Sequence, residues 1–237
     1  MKNYKSVLLI GLLIIASIKI EAQRSFTFGL HASPNISWIK PDVSAEVYKS
    51  DGSTMHLSYG ADFNYFFIKN IGIGTGVDVV YTGGKLQYHT AMIVNNAQVP
   101  DTGILSRKIK LQYLQIPLVL IGTTGDLLGN FSIYGKFGLG TSFKLKARAN
   151  DSFLPQNATD AVTTENKNIG KDISFFRESM IIGLGGTYKV AKIISVNACL
   201  TYNNGFTDIL TGRNGADNTI KENGKLHYFE LSLGILF

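Results

Sequence analysis

Cysteine, proline, tryptophan and charge are all scarce in this sequence, and each shortage removes a class of explanation. The single cysteine, Cys199, leaves no intrachain disulfide and no thiolate cluster for a metal. Five prolines in 237 residues, with 17% charged against 45% apolar residues, exclude a proline-rich or charge-extended disordered chain. Beyond residue 22 no window approaches the roughly 18 uninterrupted apolar residues of a spanning helix. An excess of one charge is missing as well. The formal +6 falls to +4 (20 basic against 16 acidic residues) once residues 1–22 are set aside, too little to suggest a nucleic-acid partner.

What is present is glycine and aromatic side chains. Twenty-five glycines, eleven tyrosines and fourteen phenylalanines favour many strands over helices, and the length suits one domain. At the start, Lys2 and Lys5 precede an apolar run from Val7 to Ile18, and Ala22-Gln23 follows Glu21. That order is the pattern of a secretory signal peptide, so residues 1–22 are expected to be a cleaved leader and residues 23–237 the mature domain.

Periodicity then decides between a soluble chain and one that crosses a membrane as strands. Met55, Leu57, Tyr59, Ala61, Phe63, Tyr65 and Phe67 alternate with His56, Ser58, Gly60, Asp62 and Asn64, a period of two. The same alternation resumes after Asn70 in Ile71–Tyr81 and recurs in Phe26–Trp38, Lys108–Ile121, Phe131–Leu145, Phe176–Tyr188, Ile193–Tyr202 and Lys225–Phe237. The connections take turns between long and short: 39–53, 68–70, 82–107, 122–130, 148–175, 189–192 and 203–224. That rhythm is expected of an all-β fold, an eight-stranded antiparallel up-and-down transmembrane β-barrel with short periplasmic turns, long outer loops and both termini periplasmic. A lipocalin-like soluble barrel would share the alternation, but here the polar parity is studded with Gly60, Gly72, Gly74, Gly76, Gly138 and Gly140. Small residues opposite long ones suit a crowded lumen. Aromatics at strand ends, among them Phe26, Phe67, Phe131, Tyr188 and Phe237 against Tyr59, Tyr81, Phe143, Phe176 and Tyr202, predict two interfacial girdles.

The last strand, Phe229, Leu231, Leu233, Ile235 and Phe237, carries apolar residues at every second position up to a terminal aromatic. It resembles the C-terminal signal read by the barrel-assembly machinery of Gram-negative bacteria, an extended segment offered for β-augmentation. Farther in, Tyr113-Leu114-Gln115-Ile116-Pro117-Leu118-Val119-Leu120 and Tyr134-Gly135-Lys136-Phe137-Gly138-Leu139-Gly140 are similar to the central hairpin of the PorT-like outer-membrane β-barrel family. The resemblance runs from the first strand to Phe237 and implies a small barrel after a signal peptide. It also implies an association with secretion, with Glu expected where Gln115 stands. Pro117, which has no N–H to give a ladder, is expected at a bulge.

Chemistry is sparse. His31, Asp62, Asp78, Tyr134, Lys136, Asn197 and Glu230 share the lumen parity, and buried charges must pair, so a salt-bridge network that plugs the pore is expected, with a proton or ion relay as the alternative. Lys108, Lys110, Lys144, Lys146 and Arg148 fall at the outer rim of two adjacent strands, where lipopolysaccharide phosphates lie. His56 and Ser58 share a face without a carboxylate partner, which argues against a hydrolase. No metal or nucleotide spacing occurs and no cofactor is implied. The loops Thr82–Arg107 and Arg148–Ser174 carry Met92, Ile93, Val94, Phe153 and Leu154, which must pack on each other or on a partner. The expected function is a non-enzymatic envelope scaffold or secretion-associated barrel contacting outer-membrane lipid, lipopolysaccharide and envelope or secretion proteins. A narrow porin is the alternative and an outer-membrane hydrolase the third reading.

Overall fold

Alternating apolar and polar residues force strands whose two faces meet different surroundings. The computed structural model describes residues 25–42, 48–93, 100–127, 129–214, 216–217 and 219–237, so the expected leader and Val94 lie outside the described residues. Among the described residues ten strands form: β1 (Ser25–Pro41), β2 (Tyr48–Ser50), β3 (Thr54–Ile68), β4 (Ile71–Met92), β5 (Asp101–Thr123), β6 (Phe131–Pro155), β7 (Val162–Asn168), β8 (Phe176–Lys189), β9 (Ser195–Asp208) and β10 (Gly224–Leu236). Eight of them pair antiparallel in the order β1-β3-β4-β5-β6-β8-β9-β10, and β10 returns to β1. Closure leaves the staves no open edge. Phe28 and Phe237 exchange backbone hydrogen bonds at 3.1 and 2.7 Å, so the end of the chain lies at the same end of the barrel as the start of β1 and the short turns. Among the described residues no helix is long and apolar enough to cross a membrane.

The eight staves fall where the alternation puts them, but the expected outer loops do not. Residues 82–92 and 101–107 continue β4 and β5 as one long hairpin, residues 148–155 continue β6, and β7 is added on its flank. A tilted strand needs only about 9–11 residues to cross a bilayer, whereas β4, β5 and β6 have 22, 23 and 25. Their outer halves, with β2 and β7, make a separate head. These segments are strands because their inward positions are apolar and have something to bury against. Leu86, Tyr88, Leu105, Ile109, Leu111 and Phe153 join Ile173, Ile209, Leu226 and Tyr228 in one core. Met92 packs against that core and Phe153 is inside it, while Ile93 and Leu154 stay exposed.

Two irregularities shape the head. Tyr113 faces Lys144 but Gln112 faces Lys146, so Leu145 is an extra residue, a β-bulge. One added residue reverses the side-chain parity of everything beyond it: Ser142 points inward below the bulge, and Ala147, Ala149, Asp151 and Phe153 are buried above it. The second is a departure of β4 from β3. Their pairing ends at Tyr59 and Val79. Beyond it Asn35 Nδ2 donates to the Tyr81 carbonyl at 2.9 Å, and the Gly83 N–H donates to Ser37 Oγ at 3.0 Å. β4 thus leans across β3 onto β1, and a Cβ on Gly84 would lie only 2.7 Å from the Ile39 nitrogen. The head bends over the mouth of the barrel.

Pro117 sits at no bulge. The β4–β5 ladder pairs Thr75 with Leu118 and resumes at Asp78 with Gln115 in the same register, while Thr75 Oγ1 donates to the Pro117 carbonyl at 2.8 Å. The missing N–H is absorbed as an interruption in the ladder, and the shift of register falls at Leu145 instead.

Candidate functional site

Inside the staves the small residues make room for the large ones. A Cβ on Gly183 would lie 2.7 Å from Lys136 Cε, and one on Gly60 would lie 2.0 Å from Asp78 Oδ1, so both charged side chains lie flat over a glycine of the neighbouring strand. At the level of Asp62, His31 bridges two carboxylates, with Nδ1 2.9 Å from Asp62 and Nε2 3.5 Å from Asp78. Tyr134 accepts from Asn197 Nδ2 at 3.2 Å. Lys136 and Glu230 share one row of the wall, linked through Gly183 and Thr201 by the strand registers. Among the described residues these two form no direct ion pair, contrary to the expected pairing. Their charges act on one another at longer range.

Above this lies a layer that sequence reasoning missed. Gln115 Oε1 accepts from Tyr228 Oη at 3.0 Å, Ser142 Oγ at 3.2 Å and Asn203 Nδ2 at 3.4 Å. Arg177, with 1% of its surface exposed, donates to Asn203 Oδ1 at 2.6 Å and to the Leu226 carbonyl at 3.0 Å, and its guanidinium lies 5.5 Å from the centre of the Tyr228 ring. The signal was available, since Arg177 stands on the lumen parity of β8. What strand counting could not give was its height. Immediately outward the side chains turn apolar, and Tyr113, Ile39, Ile209 and Leu226 fill the mouth. The polar lumen runs into a packed core.

The outward face of the head carries the cationic cluster. Lys85 faces Lys108 across β4 and β5, Lys110 faces Arg148 across β5 and β6, and Gln112 faces Lys146. Like charges directly opposite repel, and among the described residues no carboxylate forms an ion pair with any of Lys108, Lys110, Lys146 or Arg148. Lys144 does not belong to this group. It precedes the Leu145 bulge, so it keeps the opposite parity and its Nζ donates to the Gly170 and Ile173 carbonyls. Arg148 reaches the Asn166 carbonyl at 3.2 Å with one nitrogen only.

Below the cluster the exterior is apolar. Phe229, Leu231, Leu233, Ile235 and Phe237 all point outward and are about half exposed on a strand paired on both edges. Rings gather at two levels: Phe26 with Tyr65 and Phe28 with Phe63 near the short turns, and Trp38, Tyr202 and Phe229, Tyr59 and Tyr81, and Phe143 and Phe176 near the head. His56 Nε2 bonds Thr54 Oγ1 at 2.9 Å, and Ser58 Oγ accepts from Asn35 at 2.9 Å, so each has a partner other than the other.

A family model described as outer membrane protein beta-barrel domain matches residues 8–237. No curated protein matches the sequence significantly. Among solved structures, OprG from Pseudomonas aeruginosa is 14% identical, with 92% of this chain and 99% of that one covered and a TM-score of 0.46. Neisserial surface protein A is 15% identical, covering 88% and 95% with a TM-score of 0.38. Ail, the attachment invasion locus protein of Yersinia pestis, is 13% identical, covering 89% and 98% with a TM-score of 0.37.

Proposed function

The chain belongs to the outer membrane protein beta-barrel domain family, and from that premise we propose that it is a non-enzymatic, non-conducting barrel that holds a folded head at the cell surface, as an envelope scaffold or secretion-associated component. The observation that carries this reading is the closure of the mouth: the hydrogen-bonded layer of Gln115, Asn203, Arg177 and Tyr228 is followed outward by buried Tyr113, Ile39 and Leu226. A channel needs a wetted path there, and burial of these groups in a packed core opposes one. Thr54 engages His56 and Asn35 engages Ser58, an arrangement that supports a non-enzymatic reading of this pair.

On this reading residues 1–22 are a removed export signal, residues 23–237 the barrel domain, and the short turns and both termini periplasmic. Phe229, Leu231, Leu233, Ile235 and Phe237 serve the barrel-assembly machinery before β10 is sealed against β1. The Tyr113–Leu120 and Tyr134–Gly140 segments support a place among PorT-like barrels, with Gln115 in the position where Glu is expected. Lys108, Lys110, Lys146 and Arg148 hold lipopolysaccharide phosphates, because an anion between Lys110 and Arg148 turns a cross-strand repulsion into two charge-assisted hydrogen bonds. Two measurements test the reading. Planar-bilayer recording of the purified chain is expected to stay silent, and stable large openings would favour a narrow porin. The Lys110→Gln, Arg148→Gln double variant is expected to retain several-fold less lipopolysaccharide through purification, and unchanged retention would remove the lipid site.

A further inference from the structure

The outermost part of the head carries an open cavity of about 200 Å³ that neither the lumen nor the cationic face uses. Its apolar floor is the inner side of β4 and β5, at Tyr88, Met92 and Leu105. The Tyr88 ring is fixed by Tyr48, with ring centres 4.4 Å apart. The volume is below the roughly 300–1,000 Å³ of drug-sized pockets and suits a metabolite of few atoms.

The walls are polarised. On the β5–β7 side, Arg107 is held by Asp151 through two bonds of 2.7 and 2.8 Å, and Lys167 Nζ lies 3.5 Å from the same carboxylate. Two cations share one anion, which leaves that wall positive. The rest of the lining comes from the loops before β8 and β10 and presents Asp172, Arg213 and Glu222. Glu222 is only 7% exposed and accepts from Tyr48 Oη at 3.0 Å. A Cβ on Gly212 would stand 2.7 Å from Glu222 Oε2, so the glycine keeps that oxygen clear on the cavity side. With Asp151 behind the lining, three carboxylates balance three cations. A singly charged ligand would satisfy one wall and leave the other facing it with the wrong sign, whereas a molecule bearing both charges satisfies both.

We propose that this cavity binds a small zwitterion of the α-amino acid class, its carboxylate against Arg107 and Lys167, its ammonium against Glu222 and its side chain over Tyr88, Met92 and Leu105. The site lies on the inner side of the head sheet, away from the lysines of the outer face, and stands whether or not those hold lipid phosphate.

Calorimetric titration of the full folded chain in detergent tests it, using each of the common L-α-amino acids, the N-acetyl amide of any that binds, and D-glucose as an uncharged polar probe. At least one amino acid is expected to bind saturably at one site, and its N-acetyl amide, with both charges removed, at least about tenfold more weakly, the scale of a lost charge-assisted hydrogen bond. Lys167→Gln and Glu222→Gln are each expected to weaken binding by a similar factor. Lys167 lies on the exposed strand β7, so its variant keeps the test decisive if Glu222→Gln fails to fold. Absence of saturable binding by every amino acid, equal binding of the N-acetyl amide, or tighter binding of glucose would each overturn the proposal.

Discussion

Two stretches of β5 follow the same alternation and mean opposite things. From Leu114 to Leu120 the apolar residues Leu114, Ile116, Leu118 and Leu120 point outward, with Gln115 inside; from Arg107 to Tyr113 the outward residues are Lys108, Lys110 and Gln112, and Ile109, Leu111 and Tyr113 are buried. The backbone does not change register with β4 between them. Only the solvent changes, from lipid outside a polar lumen to water outside an apolar core. The boundary is the layer of Gln115, Tyr228, Asn203 and Arg177, whose hydrogen bonds pair polar groups at the depth where neither lipid nor bulk water can, Arg177 Nε being left without a partner among the described residues. Period two therefore identifies a strand, but the chemistry of the two parities identifies what each face meets.

The largest effect that could break this contrast lies in the head core. Phe153→Ala should cost about 3–5 kcal/mol, the usual range for a buried phenylalanine, read as a lower denaturant midpoint for unfolding of the head; little change would mean that the head is not packed. Charge insertion sharpens the comparison. Leu118→Arg, on the lipid face, should cost about 2–4 kcal/mol, whereas Thr102→Arg, exposed on the outer half of the same strand, should stay within about 0.5 kcal/mol. Equal losses in vesicle-refolding titrations would mean that both faces meet the same solvent.

The smallest expected effect is a pH dependence confined to the head. Burial holds the Glu222 carboxyl above the usual carboxylate range, with the Tyr48 hydrogen bond and Arg107 acting against the shift. A carboxyl whose folded pKa is raised contributes stability that is fully present below its unfolded pKa and is lost as pH rises through the folded value. The head midpoint should accordingly fall as pH rises through and above the carboxylate range, and Glu222→Gln should flatten that slope. A slope unchanged in the variant would remove Glu222 as its source.

Legibility followed the same divide. The staves were readable because Met55–Phe67 and Ile71–Tyr81 alternate without interruption, and the lumen residues followed from parity alone. The segments 82–92, 101–107 and 148–155 were misread as loops because their apolar residues sit on the opposite parity: Leu86 and Tyr88 break the outward pattern set by Ile73, Val77 and Tyr81, and the change resembles the end of a strand. Lys144 was misplaced for a related reason. One extra residue at Leu145 reverses parity, and no local feature of Lys144-Leu145-Lys146 announces it. Arg107, Asp151 and Glu222 come together from β5, β6 and the β9–β10 connection, and no spacing in the chain encodes that meeting.

A passage from lipid to external water along the outward face of one continuous strand, between Leu114 and Lys110, underlies the contrast between staves and head. It is tested most directly by single-cysteine labelling with a membrane-impermeant maleimide in intact cells, in a background carrying Cys199→Ser. Labelling of Lys110→Cys and Ala158→Cys is expected, with protection of Leu118→Cys and Phe137→Cys. Labelling of Leu118→Cys to the extent of Lys110→Cys, or of Lys110→Cys only after the cells are lysed, would contradict it.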